Sequence, residues 1–330
     1  MRNYPLISII IPTLNAEKYL VHFFESVNKQ TYPKNKIEIV VADGGSKDNT
    51  IKISKKYKAV VVNNPYVMAQ PGVYVGMKHA KGELLMVLPG DNVFKQKNAI
   101  ESIAKIFEEK NIYAAFPKHD SSKNDSLFTK YINTFTDPFN HFLYENAANA
   151  RTFKKIYKLL EHNNSYDIYD YKSYPIKPIL GVTQGFTVRK DFVKQWKNIN
   201  DDINPVYDLI KKDKQIAYVY SVSLYHHTVR NFNHFFRKQR WAAKNALENK
   251  DYGVISRKEK LSLSQKLRMY VFPIYAFSIV FPLIRSVFGY LFDRENIWFF
   301  HPIISFISAS AIIYEWLLHK LGLSKDVSRL

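Results

Sequence analysis

Short apolar segments alternate with amphipathic ones through the first third of the chain. Runs with the length and composition of buried strands occupy residues 6–11, 37–42, 60–62, 84–88 and 112–116. Helical spacing of apolar positions follows Asn15, the expected helix cap, and recurs at residues 48–57, 73–81 and 96–109. In the first of these helices Leu20, Phe23, Phe24 and Val27 form the apolar face. The alternation predicts an α/β protein with a mostly parallel central sheet flanked by helices.

The pattern weakens over residues 118–179, which are rich in Tyr, Asn, Lys and Asp. This stretch fits either a substrate-facing insertion or a variable surface. Further along, residues 181–188 and 216–219 are predicted strands, and residues 231–248 are a predicted long basic helix. No internal repeat of fixed period is present.

The last part of the chain carries two long segments without Asp, Glu, Lys or Arg. They are residues 269–284, which continue past Arg285 to residue 292, and residues 297–314. A spanning helix needs about 20 apolar residues, so both are borderline. Residues that weaken a spanning interpretation are Pro273, Pro282, Arg285, His301 and Glu315. Basic residues flank the pair on both sides, as the positive-inside rule requires of a hairpin. A spanning hairpin and an in-plane helical pair are equally open, and a soluble core pair is a third alternative.

Composition narrows the class of protein. With 46% hydrophobic residues in 330, the chain can build a large core, which excludes a disordered protein. It contains no Cys, so disulfides, thiolate metal sites and cysteine nucleophiles are excluded. The net charge of +19 favours an anionic partner such as nucleic acid, anionic lipid or a phosphorylated substrate. The first residues show no signal-peptide pattern, so none is expected.

Two carboxylates directly follow predicted strands. Asp43 begins the sequence Asp-Gly-Gly-Ser, and Asp91 lies in Pro-Gly-Asp-Asn. Because ligands bind beyond the carboxyl ends of parallel strands, both residues are expected to face one cleft. Asp43 is suited to accept hydrogen bonds from a base or ribose, and Asp91 is suited to hold a divalent cation. Taken singly, both are also ordinary turn sequences.

Glycines and lysines between these two carboxylates allow two interpretations. Gly72, Gly76 and Gly82, with Lys78 and Lys81 between the last two, fit either a path for phosphates or the ordinary ends of helices and turns. The GxGxxG and GxxxxGK[ST] fingerprints are missing from the sequence, so dinucleotide-binding and P-loop interpretations lack their motifs.

Five separated motifs occur in order along the first 115 residues. They are the strand ending in Pro12-Thr13 with Asn15 behind it, Gln30-Thr31-Tyr32-Pro33, residues 38–50, residues 76–83, and Leu88-Pro89-Gly90-Asp91-Asn92. In this order and spacing the chain resembles the nucleotide-sugar-binding half of family 2 inverting glycosyltransferases, which have the GT-A fold. The resemblance implies an enzyme of hexosyltransferase type that uses a nucleotide-diphosphate sugar as donor.

The resemblance also implies a donor site, position by position. Asp43 would bind the nucleobase, and Asp91 matches the second Asp of the family's DxD metal motif, which implies a divalent cation, Mn²⁺ or Mg²⁺. Pro89 takes the place of the first Asp. Val93 replaces a Gln that the family's polyprenyl-phosphate sugar synthases usually carry, which favours a glycan acceptor over a bare lipid phosphate. The other expected nucleotide-sugar-binding residues are Pro12, Thr13, Asn15, Gly44, Ser46, Gly72, Lys78 and Gly90.

On the acceptor side the resemblance is looser. Asp202 lies before the predicted strand 216–219 at the spacing of the family's general base, with Asp201 as the substitute, and a solvated loop acid is the alternative. His226 would lie near the metal and the diphosphate, or belong to an ordinary surface pair. The positions that resemble the family's diphosphate- or acceptor-contacting helix are Arg237, Arg240 and Trp241, with a solvated basic face as the alternative.

These features predict a membrane-associated glycosyltransferase in three parts. Residues 1–117 would form the nucleotide-sugar-binding half, residues 118–250 the acceptor-binding and catalytic half, and residues 251–330 a basic juxtamembrane segment with hydrophobic helices. The expected acceptor is a membrane-linked glycan or a polyprenyl-linked molecule, with the catalytic domain on the cytoplasmic side of the cell membrane. A catalytically degenerate scaffold of the same fold is the alternative. A nucleic-acid-binding protein is third, and since no nucleic-acid motif is present, no such partner is expected.

Overall fold

The computed structural model describes residues 4–194, 196, 202–248 and 260–325. Within them the chain forms two compact units. The first holds the described residues of Met1–Asp120, Tyr157–Ser173 and Leu180–His226. The second holds those of Ser121–Ile156, Tyr174–Ile179 and His227–Leu330. Each unit is therefore assembled from segments that are distant in the sequence.

The first unit is built around one sheet, which confirms the expected α/β fold. Its described strands are β1 (Ile7–Thr13), β2 (Ile37–Asp43), β3 (Val60–Asn63), β4 (Leu84–Val87), β5 (Asn92–Phe94), β6 (Ile112–Asp120), β7 (Lys158–His162), β8 (Asp167–Asp170), β9 (Phe186–Arg189) and β10 (Gln215–His226). They are hydrogen-bonded in the order β3-β2-β1-β4-β9-β6-β10-β8-β7, and β5 pairs with β10.

Strand direction decides which side chains meet at each edge of this sheet. β1 runs parallel to both β2 and β4, and β6 runs parallel to β10. β9 lies antiparallel to both β4 and β6, so β4 and β6 are parallel to each other. The carboxyl ends of β1, β2, β4, β6 and β10 therefore lie at one edge, together with the amino end of β9. We call this the carboxyl edge.

The described helices belong to both units. In chain order they are α1 (Glu17–Asn28), α2 (Thr50–Lys56), α3 (Ala69–His79), α4 (Ala99–Ile106), α5 (Leu127–Phe135), α6 (Pro138–Tyr144), α7 (Lys190–Val193), α8 (Asn204–Lys211), α9 (Phe232–Glu248), α10 (Leu263–Phe277), α11 (Val280–Asp293) and α12 (His301–Lys320). The first unit contains α1–α4, α7 and α8, and the second contains the others.

Helix α1 has the apolar face that its sequence predicts, but not the predicted cap. Its side chains Leu20, Phe23, Phe24 and Val27 are buried in the core of the first unit. The helix begins one residue later than expected, with Ala16 at the N-cap. Asn15 is not the cap because it takes a left-handed φ of 50°. Its side chain instead accepts a hydrogen bond from the Lys47 backbone N–H.

Residues 118–179 contain more regular structure than their pattern predicted. β6 extends to Asp120, helices α5 and α6 follow, and β7 and β8 form an antiparallel pair. Every residue of β7 is exposed. An edge strand of this kind carries no alternation of apolar and polar residues, which is why the sequence did not reveal it. The predicted strand at 181–188 shortens to β9, and the one at 216–219 lengthens to β10.

The second unit is helical and has an aromatic core. Tyr131, Phe135, Phe235, Trp298 and Ile304 are buried against one another there. Helix α12 packs along α9, and the hydroxyl of Ser308 donates a hydrogen bond to Oε1 of Gln239 over 2.9 Å. The apolar C-terminal part of the sequence therefore contributes to a packed helical unit.

The first of the two apolar segments is not one continuous helix. Helices α10 and α11 meet at an angle of 96°. The break lies at Ser278 and Ile279, where Ile279 has a left-handed φ of 58°. Among the described residues, one helix, Asn296–Lys320, is long and apolar enough to cross a membrane, and the bent pair adds a second only if it is taken as one span.

Candidate active site

Polar side chains from separate segments converge at the carboxyl edge of the first unit's sheet. The strand ends and strand-following turns there carry Thr13, Asp43, Asp91, His119 and His226. Ligands of open α/β sheets bind at this edge. Asp43 and Asp91, expected from the sequence to face one cleft, both lie there.

The carboxylate of Asp43 organises the loop that follows β2. Its Oδ1 accepts hydrogen bonds from the hydroxyls of Thr13 (2.9 Å) and Ser46 (2.5 Å). Its Oδ2 accepts from the backbone N–H groups of Gly45 (3.0 Å) and Ser46 (2.8 Å). Because an ionised carboxylate offers about four lone-pair positions, this side chain is fully engaged. A nucleobase donor at Asp43 would replace one of these bonds.

Further hydrogen bonds tie the loop after β2 to the loop after β1. The backbone N–H of Asn15 donates to the Ser46 hydroxyl (2.8 Å), and that of Ala16 donates to the Thr50 hydroxyl (2.7 Å). The Glu17 N–H donates to Asp48. Burial raises the pKa of the Asp48 carboxyl, but hydrogen bonds from Thr50 and Glu17 outweigh it and lower the pKa on balance. The loops that would hold a nucleotide are therefore held to each other.

Replacing Asp43 by alanine is expected to destabilise the protein by about 2 kcal/mol. The change leaves four donors without their charged acceptor, and hydrogen bonds to charged groups contribute about 1.5–3 kcal/mol each, reduced here because water reaches the outer donors. Denaturant unfolding measures the loss. Asp208→Ala, on the exposed face of α8, is the matched control. Equal stability of the Asp43 variant and wild type would contradict this role of the carboxylate.

Two of the predicted glycines allow backbone segments to approach closely. A Cβ atom on Gly72 would lie 2.7 Å from Nδ2 of Asn64 and 3.3 Å from Cβ of Pro12. One on Gly44 would lie 2.8 Å from the Val67 carbonyl oxygen. Gly72 therefore lets α3 pack against β1 and the residue after β3, and Gly44 lets the turn after β2 approach the loop before α3.

Two other predicted donor-site residues make contacts of a different kind. Lys78 is exposed on α3, and its ammonium lies 4.3 Å from the centroid of the Tyr74 ring. A Cβ on Gly90 would lie 3.2 Å from Cδ2 of Leu20, so the turn after β4 passes directly over α1. Neither the Lys78 contact nor the Gly90 contact uses a backbone N–H group that could donate to a phosphate.

Asp91 lies beside His226 because β5 pairs with the end of β10. In that pairing Asn92 is directly opposite His226. Oδ2 of Asp91 lies 3.7 Å from Nε2 of His226, and the Asp91 and His226 side chains are 32% and 7% exposed, respectively. Oδ1 of Asp91 accepts a hydrogen bond from the Asn92 amide over 2.9 Å. One carboxylate oxygen of Asp91 is therefore held in place while the other faces the imidazole.

The sequence did not indicate two further residues of this cluster, His119 and Gln184. The Gln184 side-chain amide donates to Nε2 of His226 over 3.1 Å, and the Gln184 carbonyl is 3.2 Å from Nε2 of His119. Gln184 takes a left-handed φ of 49°. Burial lowers the pKa of His119, although the Gln184 carbonyl and the Asp91 charge act in the opposite direction. The sequence signal for His119 is its place just past a predicted strand, whereas Gln184 falls within the predicted strand 181–188 and lies ahead of the observed β9.

The cluster partly fits the divalent cation that the resemblance implies. The described residues contain no group of three or more His, Asp and Glu side chains placed to share an ion. Asp91 and His226 supply one oxygen and one nitrogen donor. Oδ1 of the fully buried Asn92 has no hydrogen-bond partner in the described part of the chain, which makes it a further oxygen donor beside them. This donor set fits Mn²⁺ or Mg²⁺ if phosphate and water oxygens complete the coordination.

Asp202 reaches the same edge of the sheet. Its carbonyl accepts a hydrogen bond from the Val182 N–H over 2.8 Å, and Val182 lies just before the amino end of β9. A Cβ on Gly181 would lie 2.6 Å from Oδ2 of Asp202, so the carboxylate approaches the backbone where a side chain is missing. Asp201, the predicted substitute, lies outside the described residues.

The predicted basic-aromatic residues lie on α9 in the second unit. Arg237 is exposed, and Trp241 is half-buried. Arg240 forms an ion pair with Glu315 of α12, with both Nε and Nη2 at 2.8 Å from Oε2. Its guanidinium also stacks 4.8 Å from the centroid of Tyr314. Arg240 is therefore engaged within its own unit.

The fold and the polar carboxyl edge define an α/β protein of the class that binds its ligand at the ends of parallel strands. Residues 8–175, just over half of the chain, match the family model described as Glycosyl transferase family 2, and the chain belongs to this family. This confirms the family that the sequence motifs indicated.

Similar proteins carry transferase names. The chain is 32% identical over 108 residues to the poly(ribitol-phosphate) beta-N-acetylglucosaminyltransferase TarS of Staphylococcus aureus, covering 31% of this chain and 19% of TarS. It is 26% identical over 143 residues to the 4,4'-diaponeurosporenoate glycosyltransferase of the same species, covering 41% of this chain and 37% of the relative. The aligned part thus spans less than two fifths of either relative.

A solved structure supports the fold. The mannosyltransferase PcManGT of Pyrobaculum calidifontis, in complex with GDP-Man and Mn²⁺, superposes with a TM-score of 0.55 at 12% identity. The match covers 95% of this chain and 88% of PcManGT. This likeness, together with the family match, confirms the expected GT-A fold.

Proposed function

We propose that this protein transfers a sugar from a nucleotide-diphosphate donor to a membrane-held acceptor, with inversion at the anomeric carbon. The observation that carries the proposal is the convergence of the Asp43 loop, the Asp91–His226 pair and Asp202 at the carboxyl edge of one sheet, in a chain that belongs to family 2. These groups supply a nucleotide cradle, a cation site and a base.

The donor would bind across the loops after β1 and β2. Asp43 and Ser46 would exchange one of their mutual hydrogen bonds for a bond to the nucleobase. Because Gly72 has no side chain, helix α3 packs closely against Pro12 and Asn64, which keeps the turn after β1 in place beside the donor. The interloop hydrogen bonds of Asn15 and Ala16 keep this cradle in shape before the donor arrives.

Asp91 and His226 would hold a divalent cation, Mn²⁺ or Mg²⁺, with Asn92 as a further oxygen donor. When bound, such a cation neutralises the charge that develops on the leaving diphosphate. The chain supplies one carboxylate here, where the family's DxD motif supplies two. The Gln184 amide donates to the His226 nitrogen nearest Asp91, Nε2, so cation binding there would replace this hydrogen bond.

Asp202 would act as the general base. Its carboxylate would accept the proton of the acceptor hydroxyl while that oxygen attacks the anomeric carbon and the diphosphate leaves. A single displacement of this kind inverts the anomeric configuration. The missing side chain of Gly181 leaves room for Oδ2 of Asp202 beside the backbone that leads into β9, which supports this role.

The second unit would hold the protein to the cytoplasmic side of the cell membrane, in the plane of the bilayer surface. Helices α10 and α11 expose a row of large apolar side chains, among them Tyr270, Ile274, Phe281 and Phe288. Helix α12 packs along α9, which carries exposed and half-buried cations. A spanning α12 would place those cations at bilayer depth, where charges are costly. In-plane attachment therefore agrees better with this packing. Attachment of this kind would bring the protein to a membrane-linked glycan or a polyprenyl-linked acceptor.

Thermal-shift measurements with UDP, GDP, CMP and dTDP, each with and without Mn²⁺, test the donor site. One nucleoside diphosphate with Mn²⁺ is expected to stabilise the wild type by about 2.7 kcal/mol at a hundredfold excess over Kd. Asp91→Ala is expected to lose the Mn²⁺-dependent part, and the surface control Asp208→Ala to keep it. If no nucleotide stabilises the wild type, the catalytically degenerate scaffold becomes the better interpretation.

A transfer assay with the identified donor tests the acceptor. Transfer to membrane extracts in mild detergent, and not to free sugars in detergent-free buffer, is the expected result. Efficient use of free hydrophilic sugars alone would overturn the membrane-linked acceptor while leaving the donor site intact.

A further inference from the structure

The second unit contains a cavity of about 290 Å³ that no step of the proposed reaction uses. Residues of α5, α6 and α11 line it, together with the segment after α6 and the turn before α12. None of the predicted donor, metal or catalytic residues lies in its wall. Its wall holds charged side chains, Arg285 among them, and the buried imidazole of His141.

A cation without a counter-charge lies in this wall. Arg285 projects from the otherwise apolar α11, is half-buried, and lies 5.0 Å from the centroid of the Trp298 ring. Within the described residues it has no carboxylate partner, because the carboxylates of the cavity are already held. The pairs are Arg151–Glu295 at 2.7 Å, Lys155–Asp293 at 2.7 Å and Arg268–Glu145 at 3.0 Å. A half-buried guanidinium without a carboxylate partner favours the binding of an anion beside it.

A buried imidazole lies in the same wall. His141 is 8% exposed, and both of its ring nitrogens are buried. Burial and the charge of Arg285 lower its pKa to about 3, although the Phe135 carbonyl acts in the opposite direction. The imidazole is therefore neutral at physiological pH, and it packs against the rings of Phe135, Trp298 and His301 without adding charge to the wall.

The cavity opens beside apolar side chains. Phe292 lines it and is 78% exposed, and Leu291 and Phe288 of the same helix are 50% and 54% exposed. A ligand that fills the cavity with an anionic group can therefore extend an apolar chain along α11. Inorganic phosphate would satisfy the cation but leave these side chains in water.

We propose that this cavity binds the phosphate group of an anionic membrane lipid. Arg285 presents its planar fork to two phosphate oxygens. The acyl or isoprenoid chain lies against Phe288, Leu291 and Phe292. None of its residues belongs to the proposed transfer site, so lipid binding here does not depend on whether the proposed reaction is correct.

Binding of soluble short-chain lipids to the full chain tests the proposal. The protein is kept in neutral detergent without divalent cation, and melting temperature is followed against dihexanoyl phosphatidic acid, dihexanoyl phosphatidylcholine and inorganic phosphate. The wild type is expected to bind phosphatidic acid saturably, and roughly tenfold more tightly than either of the other two. Arg285→Gln is expected to weaken phosphatidic acid binding by about tenfold or more.

Two further variants control for charge and folding. Arg294→Gln removes the same charge from an exposed position outside the cavity and is expected to bind like the wild type. Arg285→Lys keeps the charge without the fork and is expected to bind severalfold more weakly. Wild-type affinity in both Arg285 variants would overturn the site. If the wild type binds inorganic phosphate as tightly as phosphatidic acid, the assignment of a lipid ligand is overturned. If it binds phosphatidylcholine as tightly as phosphatidic acid, the assignment of an anionic ligand is overturned.

Discussion

Replacing Asp202 by asparagine is expected to lower kcat for sugar transfer by about a thousandfold while leaving the Kd of the donor nucleotide unchanged. The amide occupies the same volume but cannot accept the proton of the acceptor hydroxyl. Because the Asp202 carbonyl, not its side chain, receives the Val182 N–H, the local backbone is expected to survive the change. Initial rates at saturating donor, with nucleotide affinity measured by thermal shift, separate the two quantities.

Two variants sharpen this test. Asp208→Asn makes the same chemical change on the exposed face of α8 and is expected to leave kcat unaltered. Gly181→Ala keeps the carboxylate but places a Cβ 2.6 Å from its Oδ2, so the carboxylate must move and kcat is expected to fall by about tenfold or more. An Asp202→Asn enzyme with more than a tenth of the wild-type kcat would exclude Asp202 as the base.

The central strands of the sheet could be predicted because they are buried on both faces. Ile7, Ile9 and Ile10 are fully buried, and a strand covered on both sides reads as a continuous apolar run. The alternation with helices then implies parallel neighbours, whose carboxyl ends share one edge. For this reason the sequence alone places Asp43 and Asp91 at that edge.

The rest of the cluster at this edge depends on pairings that leave no local trace in the sequence. Gln184 reaches it because β9 enters antiparallel between β4 and β6. His226 meets Asp91 because the three-residue β5 pairs with the end of β10, over 120 residues away. His119 lies there because β6 is longer than its apolar run. Such register is set by tertiary packing, which periodicity does not record.

The C-terminal part of the chain also contains a feature that the sequence pattern does not record. Its two apolar segments were visible in the sequence, but the 96° bend at Ser278 and Ile279 was not, since neither residue is a helix breaker of the kind that Gly and Pro are. Pro273 and Pro282, which weakened the spanning interpretation in the sequence, lie within α10 and near the start of α11. Proline in the first turn of a helix costs little.

Glu315 illustrates how a partner changes the meaning of a charged residue. In the sequence it weakened the spanning interpretation of the second apolar segment. In the structure it is fully buried and receives the Arg240 guanidinium, 75 residues earlier in the chain, together with the Ser324 hydroxyl. Arg240 itself is 20% exposed. This pair couples α9 to α12 and competes with the predicted contact between Arg240 and a diphosphate.

Replacing Glu315 by alanine is therefore expected to destabilise the protein by about 3–5 kcal/mol. The variant leaves the Arg240 cation largely buried without a counter-charge, and it opens a void in the α9–α12 packing. Thermal unfolding in mild detergent measures the loss. Glu248→Ala is the matched control, because Glu248 is exposed and pairs with Lys244 of the same helix at 3.6 Å, a contact worth about 0.3–0.5 kcal/mol.

The double variant Arg240→Met, Glu315→Leu separates stability from donor binding. Replacing both partners of a buried ion pair by apolar side chains of similar size is often neutral, so the double variant is expected to unfold close to the wild-type temperature. If it also binds the donor nucleotide with wild-type affinity, the pair serves the packing of α9 on α12 alone. A fold-competent double variant that binds the nucleotide tenfold more weakly would instead restore Arg240 to the diphosphate site, with Glu315 as the group that positions it.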